Sequence, residues 1–213
     1  MTNKRTKAKV FIIESLGFED EKKELYEGGI LSDILRLSKI ETQYFYIRTK
    51  KEFKKVVEIF EESNYRYLHI SCHGGENSLC TTLDEIPYDE LGEILKDSLF
   101  KKRLFLSACS AVNKKLAQSV IPKTKCYSII GPDGDIAFSD ATIMWASFYH
   151  LMFNENSQNM LSEGLVKNLQ KVVDTFGESL NYYSISKSQG FKNIIIRLKR
   201  SRRKVKTEED IIK

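Results

Sequence analysis

The chain has 213 residues, 41% hydrophobic and 30% charged, which is enough apolar material for one sizeable core and excludes a disordered or fibrous chain. The net charge of +5 is local: residues 192–206 hold eight basic residues and no acidic one, and the body of the chain is close to neutral. No apolar run reaches the roughly 18 residues that a membrane-spanning helix needs.

The basic start, MTNKRTKAKVFII, has too short an apolar stretch for a secretory signal and no small-residue cleavage site, so a cytoplasmic location is expected. In such a reducing compartment Cys72, Cys80, Cys109 and Cys126 are expected as free thiols. Residues 7–16 contain KVFIIESL, a first buried strand, and the charged stretch GFEDEKKELYEGG after it reads as a long exposed loop. Over 30–40, Ile30, Ile34 and Leu37 recur at helical spacing with Leu31 and Leu35 beside them. TQYFYI (42–47) is strand-like, and 50–62 is an amphipathic helix with Phe53, Val56, Val57 and Phe60 inward. A third strand over 67–72 completes a β, α, β, α, β alternation, which predicts a mostly parallel sheet with helices on both faces.

Residues 79–83 read as a short edge hairpin and 88–95 as a helix. A fourth strand (103–108), a short helix (114–121) and a fifth strand (125–130) follow, the last ended by Gly131-Pro132. Residues 140–153 form the clearest helix, capped by Ser139 or Asp140, with Ile143 or Met144, Phe148, Leu151 and Met152 on one face. Trp145 and Tyr149 on that helix read as core rather than as a cofactor box. Residues 161–176 are another helix, and Ile194–Ile196 suggest a last edge strand. The expected organisation is one α/β domain over 1–191 with a basic tail or final edge strand at 192–213.

Two strands stop at reactive side chains. YLHISCHGG ends at His73 followed by Gly74 and Gly75, and RLFLSAC ends at Cys109. In an open parallel sheet catalytic groups gather at the carboxyl ends of the strands. A thiol becomes a useful nucleophile beside an imidazole, and free backbone N–H groups at Gly74 and Cys109 would form an oxyanion hole.

The segment His69-Ile-Ser-Cys-His73-Gly74 resembles the H-x-S-x-H-G signature of caspase-like cysteine peptidases of the CHAT type, and Leu106-Ser107-Ala108-Cys109 resembles the L-S-A-C of the same family. The 36-residue separation of His73 and Cys109, and Ile129-Ile130-Gly131 followed by Asp140 and the helix through Tyr149, are also similar. The match covers about 65–153. The resemblance implies a caspase-like three-layer α/β fold and peptide-bond cleavage in protein substrates without a cofactor. By it His73 is the base, Cys109 the nucleophile, and the N–H groups of Gly74 and Cys109 the oxyanion hole. It further implies a regulatory or activating partner and, in bacteria, a role in defence or regulated death. Ser107 stands where caspases place glutamine and Ala111 where they place glycine, which argues against caspase-type specificity for aspartate. No sensor repeats are read in the sequence, so activation would come from a separate protein or be absent.

Asp133, Asp135 and Asp140 follow the fifth strand, where the resemblance implies part of the substrate cleft, and an acid there could line a pocket for Lys or Arg before the cut; the reading favoured over it is a turn at Asp133-Gly134 and a helix cap at Asp140. Glu76 and Asn77 lie in the loop after His73 and could touch substrate. His69 reads as a hydrogen-bonded structural residue. His69, Cys72, His73 and Cys109 are all zinc-ligand types, but on a strand His69 and His73 lie about 13 Å apart, so no metal is expected. A nucleotide-binding domain is excluded by the absence of a glycine-rich loop after the first strand. The remaining rival is a catalytically inactive caspase-like scaffold acting through its basic tail, for which docking to a protein is favoured over contact with nucleic acid.

Overall fold

The structure is a computed structural model that describes residues 6–156, 158 and 160–198. Its centre is a run of apolar strands without polar alternation, as burial on both faces requires. Strand β1 (Lys7–Glu14) is flanked by β2 (Thr42–Tyr46) and β3 (Tyr65–Ser71), and β3 in turn by β7 (Arg103–Ser107), then β8 (Ser128–Pro132). These five are parallel. Two antiparallel strands, β9 (Leu180–Ser186) and β10 (Gly190–Ile196), extend the sheet beyond β8 to seven strands. Three short strands, β4 (His73–Gly74), β5 (Ser78–Cys80) and β6 (Glu85–Pro87), form a separate small sheet at the carboxyl edge.

Helices cover both faces. On one side α3 (Lys50–Glu62), α4 (Tyr88–Ile94) and α5 (Lys114–Thr124) pack Phe53, Phe60, Leu91 and Val120 against Phe11, Leu68 and Leu104. On the other, α2 (Glu27–Leu37), α6 (Phe138–Glu155) and α7 (Ser162–Phe176) bring Leu31, Trp145, Phe148 and Leu169 against Ile12, Tyr67 and Phe105. Helix α3 opens on a capping box between Thr49 and Glu52, which fixes its start where periodicity places it. Among the described residues no helix is long and apolar enough to cross a membrane.

Several expectations shift on contact with this architecture. The stretch expected as an exposed loop after β1 is instead a short helix α1 (Phe18–Lys22) and the start of α2, whose Glu27 and Gly28 are buried. The inward face of α2 is carried by Leu31 and Leu35, while Ile30 is 49% and Leu37 85% exposed. On α6 it is Met144 that faces in and Ile143 that faces out. That helix starts at Phe138 rather than Asp140, with Ala137 at its N-cap and no side-chain cap. Strand β8 begins at Ser128 because Lys125 ends α5 in the left-handed conformation (φ 53), so the chain enters the sheet late. Sequence patterning misses β9 altogether, whereas Ile194–Ile196 do form the end of the edge strand β10. Position 191, expected as the domain boundary, lies inside that strand, and the basic residues from 199 onward lie outside the described residues.

Candidate active site at the carboxyl edge of the sheet

Strands β3 and β7 are immediate neighbours with Ser71 in register with Ser107. His73 and Cys109 are therefore the same number of residues past that pair, beyond the ends of strands about 5 Å apart. The parallel ladder runs one bond further, from the Cys72 N–H to the Ser107 carbonyl at 3.1 Å.

Beyond it the chain after β3 folds against the turn after β7. A Cβ on Gly74 would lie 2.9 Å from the Ala111 Cβ, 3.0 Å from the Ala108 Cβ and 3.1 Å from the Cys109 carbonyl oxygen, the first closer than real Cβ atoms come and the other two tight enough that the neighbours must give. The glycine is thus demanded by close approach to the turn that carries Cys109. The Gly75 N–H donates to the Ser78 carbonyl, which makes Gly74 and Leu79 the non-hydrogen-bonded pair of the β4–β5 ladder and leaves the Gly74 N–H outside it. Ser110, next to Cys109, is left-handed at φ 54 and donates its N–H to the Gly134 carbonyl at 3.0 Å. A non-glycine residue in that region marks a turn held by its surroundings. The Tyr88 hydroxyl pins the two segments together, donating to the Gly75 carbonyl and, at 3.0 Å, to the Ala111 carbonyl; burial pushes its pKa up to about 12. Asn113 Nδ2 adds bonds to the carbonyls of Glu76 (3.2 Å) and Ser110 (3.1 Å).

The two candidate side chains point into one neighbourhood. The Cys109 Sγ–H donates to the Ile136 carbonyl at 3.7 Å, and the His73 ring meets the Phe138 ring edge-on at 5.8 Å between centroids. Both side chains therefore touch the segment that leads into α6. Among the described hydrogen bonds none joins Sγ to the imidazole: Sγ turns to Ile136, and His73 Nε2 lies 2.6 Å from Asp20 Oδ2. The other three thiols are held down by their surroundings. Cys72 is buried and its pKa is driven far upward by desolvation, that of Cys126 is pushed up to about 11 by the same cause, and burial also raises that of Cys80.

Beneath this edge lies a buried polar layer. Glu27 Oε2 accepts from Ser71 Oγ at 2.9 Å and from Ser107 Oγ at 2.8 Å. One carboxylate oxygen thus bridges the two strand ends that carry His73 and Cys109. Glu27 opens α2, where the helix N-terminus favours a negative charge. His69 is fully buried, with Nδ1 3.1 Å from the Tyr149 hydroxyl and Nε2 3.8 Å from Glu27 Oε1, the structural place expected for it. Glu14 lies alongside and accepts from the N–H groups of Gly28 (2.7 Å) and Gly29 (3.1 Å) and from the Tyr44 hydroxyl (2.7 Å). Desolvation raises its pKa, and these three donors oppose the rise.

The acidic candidates separate. Asp133 Oδ1 accepts from Asn181 Nδ2 at 2.7 Å and Oδ2 lies 3.7 Å from Arg197, so its charge is already met. Asp135 accepts from Ser110 Oγ at 3.1 Å, one residue from Cys109. Asp140 is exposed in the first turn of α6. Asn77 takes Lys115 Nζ at 2.7 Å, with Glu76 3.9 Å from the same amine. Among the described residues no group of three or more His, Cys, Asp or Glu is arranged to hold a metal ion. A separate cleft of about 460 Å³ between α2, α6 and α7 contains none of the candidate residues.

Sequence reasoning missed Asp20 and Glu27, both hidden in the stretch read as a loop. The signal available was position: GFED follows the carboxyl end of β1, and ligands collect at that edge.

No protein-family model matches the sequence, and no curated protein matches it either. Solved structures do match. A secreted C11 cysteine protease from Bacteroides thetaiotaomicron superposes with a TM-score of 0.57 at 8% identity, over 84% of this chain and 66% of its own. Caspase-1 from Spodoptera frugiperda superposes at 0.52 and 13% identity, over 82% of this chain and 79% of its own. The fold is caspase-like. The mostly parallel seven-stranded sheet with helices on both faces is thus the architecture of caspase-like cysteine proteases, as the motifs imply. At these identities the likeness concerns the backbone; the CHAT subtype rests on the motifs alone.

Proposed function

We propose that this chain is a cysteine endopeptidase of the CHAT type that cleaves protein substrates with Cys109 as nucleophile and His73 as base. The observation that carries the reading is the register of Ser71 with Ser107, which sets an imidazole and a thiol at matching steps beyond adjacent parallel strands of a caspase-like sheet. In the proposed reaction Cys109 Sγ leaves the Ile136 carbonyl and gives its proton to His73. The thiolate then attacks the scissile carbonyl carbon. The developing oxyanion is met by the N–H groups of Gly74 and Cys109. His73 returns the proton to the leaving amine, and water, deprotonated by the same imidazole, hydrolyses the thioester.

Of the three acids, Asp135 is the one we assign to a Lys or Arg before the cut, since it reaches the residue beside the nucleophile and Asp133 is already paired. Asp140 would stand at the outer rim. The motif resemblance supports the rest of the reading: an enzyme that needs no cofactor, is switched on by a separate protein and serves a bacterial defence or regulated-death pathway; the cytoplasmic location rests on the basic start that does not read as a secretory signal.

Incubating the protein, and its Cys109→Ala form, with a lysate of its own host and sequencing the new protein termini tests the reading. New termini made by the wild type and absent with Cys109→Ala are expected. Identical termini in both, together with a Cys109 that reacts no faster than Cys80 toward a thiol-reactive peptide, would return the chain to a non-catalytic scaffold.

A further inference from the structure

The imidazole proposed as base has a partner that the reaction above does not use. We propose that Asp20 is the positioning residue of His73: its carboxylate fixes the ring so that Nδ1 is presented to Cys109. The inference rests on the peptidase reading and extends it from a dyad to three groups acting in line.

The pair is built rather than incidental. His73 Nε2 and Asp20 Oδ2 are 2.6 Å apart, slightly shorter than the roughly 2.7–2.9 Å usual for an N–H bond to a carboxylate, and the Asp20 side chain is only 20% exposed. The ring is bounded on two further sides. Phe138 meets it edge-on, and a Cβ on Gly17 would lie 3.8 Å from Nε2 and 3.3 Å from Asp20 Oδ2, so the Gly17 backbone floors the contact.

The turn that presents Asp20 is itself anchored. Its N–H and that of Glu21 return to the Gly17 carbonyl, each at 3.0 Å. Glu21 takes Arg48 through two bonds, at 2.9 and 2.7 Å, and also the Tyr46 hydroxyl. Just upstream, Thr82 holds the Leu16 carbonyl at 2.6 Å. The β1 strand that leads into this turn lies directly beside β3, which leads to His73.

The chemistry follows from what each atom can do. An ionised carboxylate only accepts hydrogen bonds, so the imidazole nitrogen facing Asp20 must carry a hydrogen. In the neutral ring that leaves the lone pair on Nδ1, the form able to take a thiol proton. When the proton moves from Sγ to Nδ1, the ring becomes an imidazolium and Asp20, still ionised, balances it. The same proton later passes from Nδ1 to the leaving amine, and Asp20 gains none. An amide at position 20 can offer its N–H to Nε2 and thereby favour the opposite tautomer.

The test measures covalent labelling of Cys109 by a peptidyl acyloxymethyl ketone with Lys next to the reactive group, comparing wild type, Asp20→Asn and Asp20→Glu. General-base contributions run from about 10²- to 10⁴-fold, and a half-exposed ring held by one carboxylate belongs at or below the lower end. Asp20→Asn is expected to lower the limiting inactivation rate about 10- to 100-fold, with the half-saturating probe concentration within about twofold. Asp20→Glu should restore a large part of the loss, and thermal melting should show all three folded. A limiting rate in Asp20→Asn within about twofold of wild type overturns the role of Asp20 while leaving the peptidase reading intact. Equal losses in Asp20→Asn and Asp20→Glu at unchanged melting would likewise overturn it. A wild type whose Cys109 labels no faster than Cys80 removes the peptidase reading and the role of Asp20 with it.

Discussion

Replacing Gly74 by alanine probes the closest approach in the site, and Gly75 beside it supplies the control. The added methyl at position 74 would sit 2.9, 3.0 and 3.1 Å from the Ala111 Cβ, the Ala108 Cβ and the Cys109 carbonyl oxygen, where ordinary contact needs 3.4–4 Å. None of these is the tip of a flexible side chain, so the chain after β3 must move away from the Cys109 turn by roughly half an ångström. Overpacking of this kind costs typically about 1–3 kcal/mol, and the smaller unfolded-state entropy of alanine returns about 0.4–1 of it. The net expectation is a loss of about 1–2 kcal/mol, or a fall in melting temperature of about 2–8 °C for a chain of this length. At Gly75 nothing lies within 4 Å and φ is not positive, so alanine there should be neutral or slightly stabilising. Urea denaturation of both variants measures the difference, and the rate of Cys109 alkylation reports whether the displacement reaches the nucleophile. Gly74→Ala as stable as Gly75→Ala would refute the claim that close approach dictates the glycine.

Other expectations can be checked with the same protein. Ser107→Ala removes one of two hydroxyls from a buried carboxylate and should cost about 1.5–3 kcal/mol in denaturation. Because Ser71 shares the same acceptor oxygen, the double variant should depart from additivity by about 0.5 kcal/mol or more, and strict additivity would mean the bridge carries no coupling. At pH 7.5 iodoacetamide should spare Cys72 and Cys126, whose pKa values burial raises, in the latter case to about 11; modification of either before global unfolding would contradict their burial. Glu14 has a folded pKa above its ordinary value of 4.5, so the folded state holds the proton more tightly. Its contribution is therefore present below about 4.5 and lost as pH rises through the raised value. Glu14→Gln should flatten that part of a urea-midpoint profile, and an unchanged slope would count against it. Glu52 is the opposite case: capping donors at Arg48 and Thr49 lower its pKa, so its support is present above 4.5 and lost as pH falls through the lowered value, a loss that Glu52→Gln should abolish.

What the sequence makes legible follows from the strength of its local signals. The apolar runs ending at His73 and Cys109 and the amphipathic stretch around Phe53 and Phe60 speak through periodicity, and each element sits where that periodicity places it. The stretch after β1 does not. FEDEK is charged because one face meets solvent, while Asp20 and Glu27 are spent on polar partners distant in sequence. A charge held by a partner 53 or 80 residues away leaves no periodic trace. Strand β9 was missed for a related reason: Asn181 inside it is bonded to the Val112 carbonyl and Asp133, so it reads as polar loop while lying buried. The phase of α2 depends on two buried glutamates and a buried His69, which hydrophobicity alone does not register.

The connection from Gly17 to Gly29 has a consequence for how the molecule breathes. It carries the carboxylate on the His73 ring and, a few residues on, the carboxylate that bridges the ends of β3 and β7. Segments of this size can open as local units at a free energy below that of global unfolding. Opening this one would release the imidazole and untie both strand ends in a single event, with the paired strands of the sheet still closed. Amide protons at Gly28 and Gly29, bonded to Glu14, would report that event in hydrogen exchange, ahead of those in β3 and β7. Such opening would give the edge of the sheet a timescale of its own, set by the thirteen residues from Gly17 to Gly29 rather than by the paired strands.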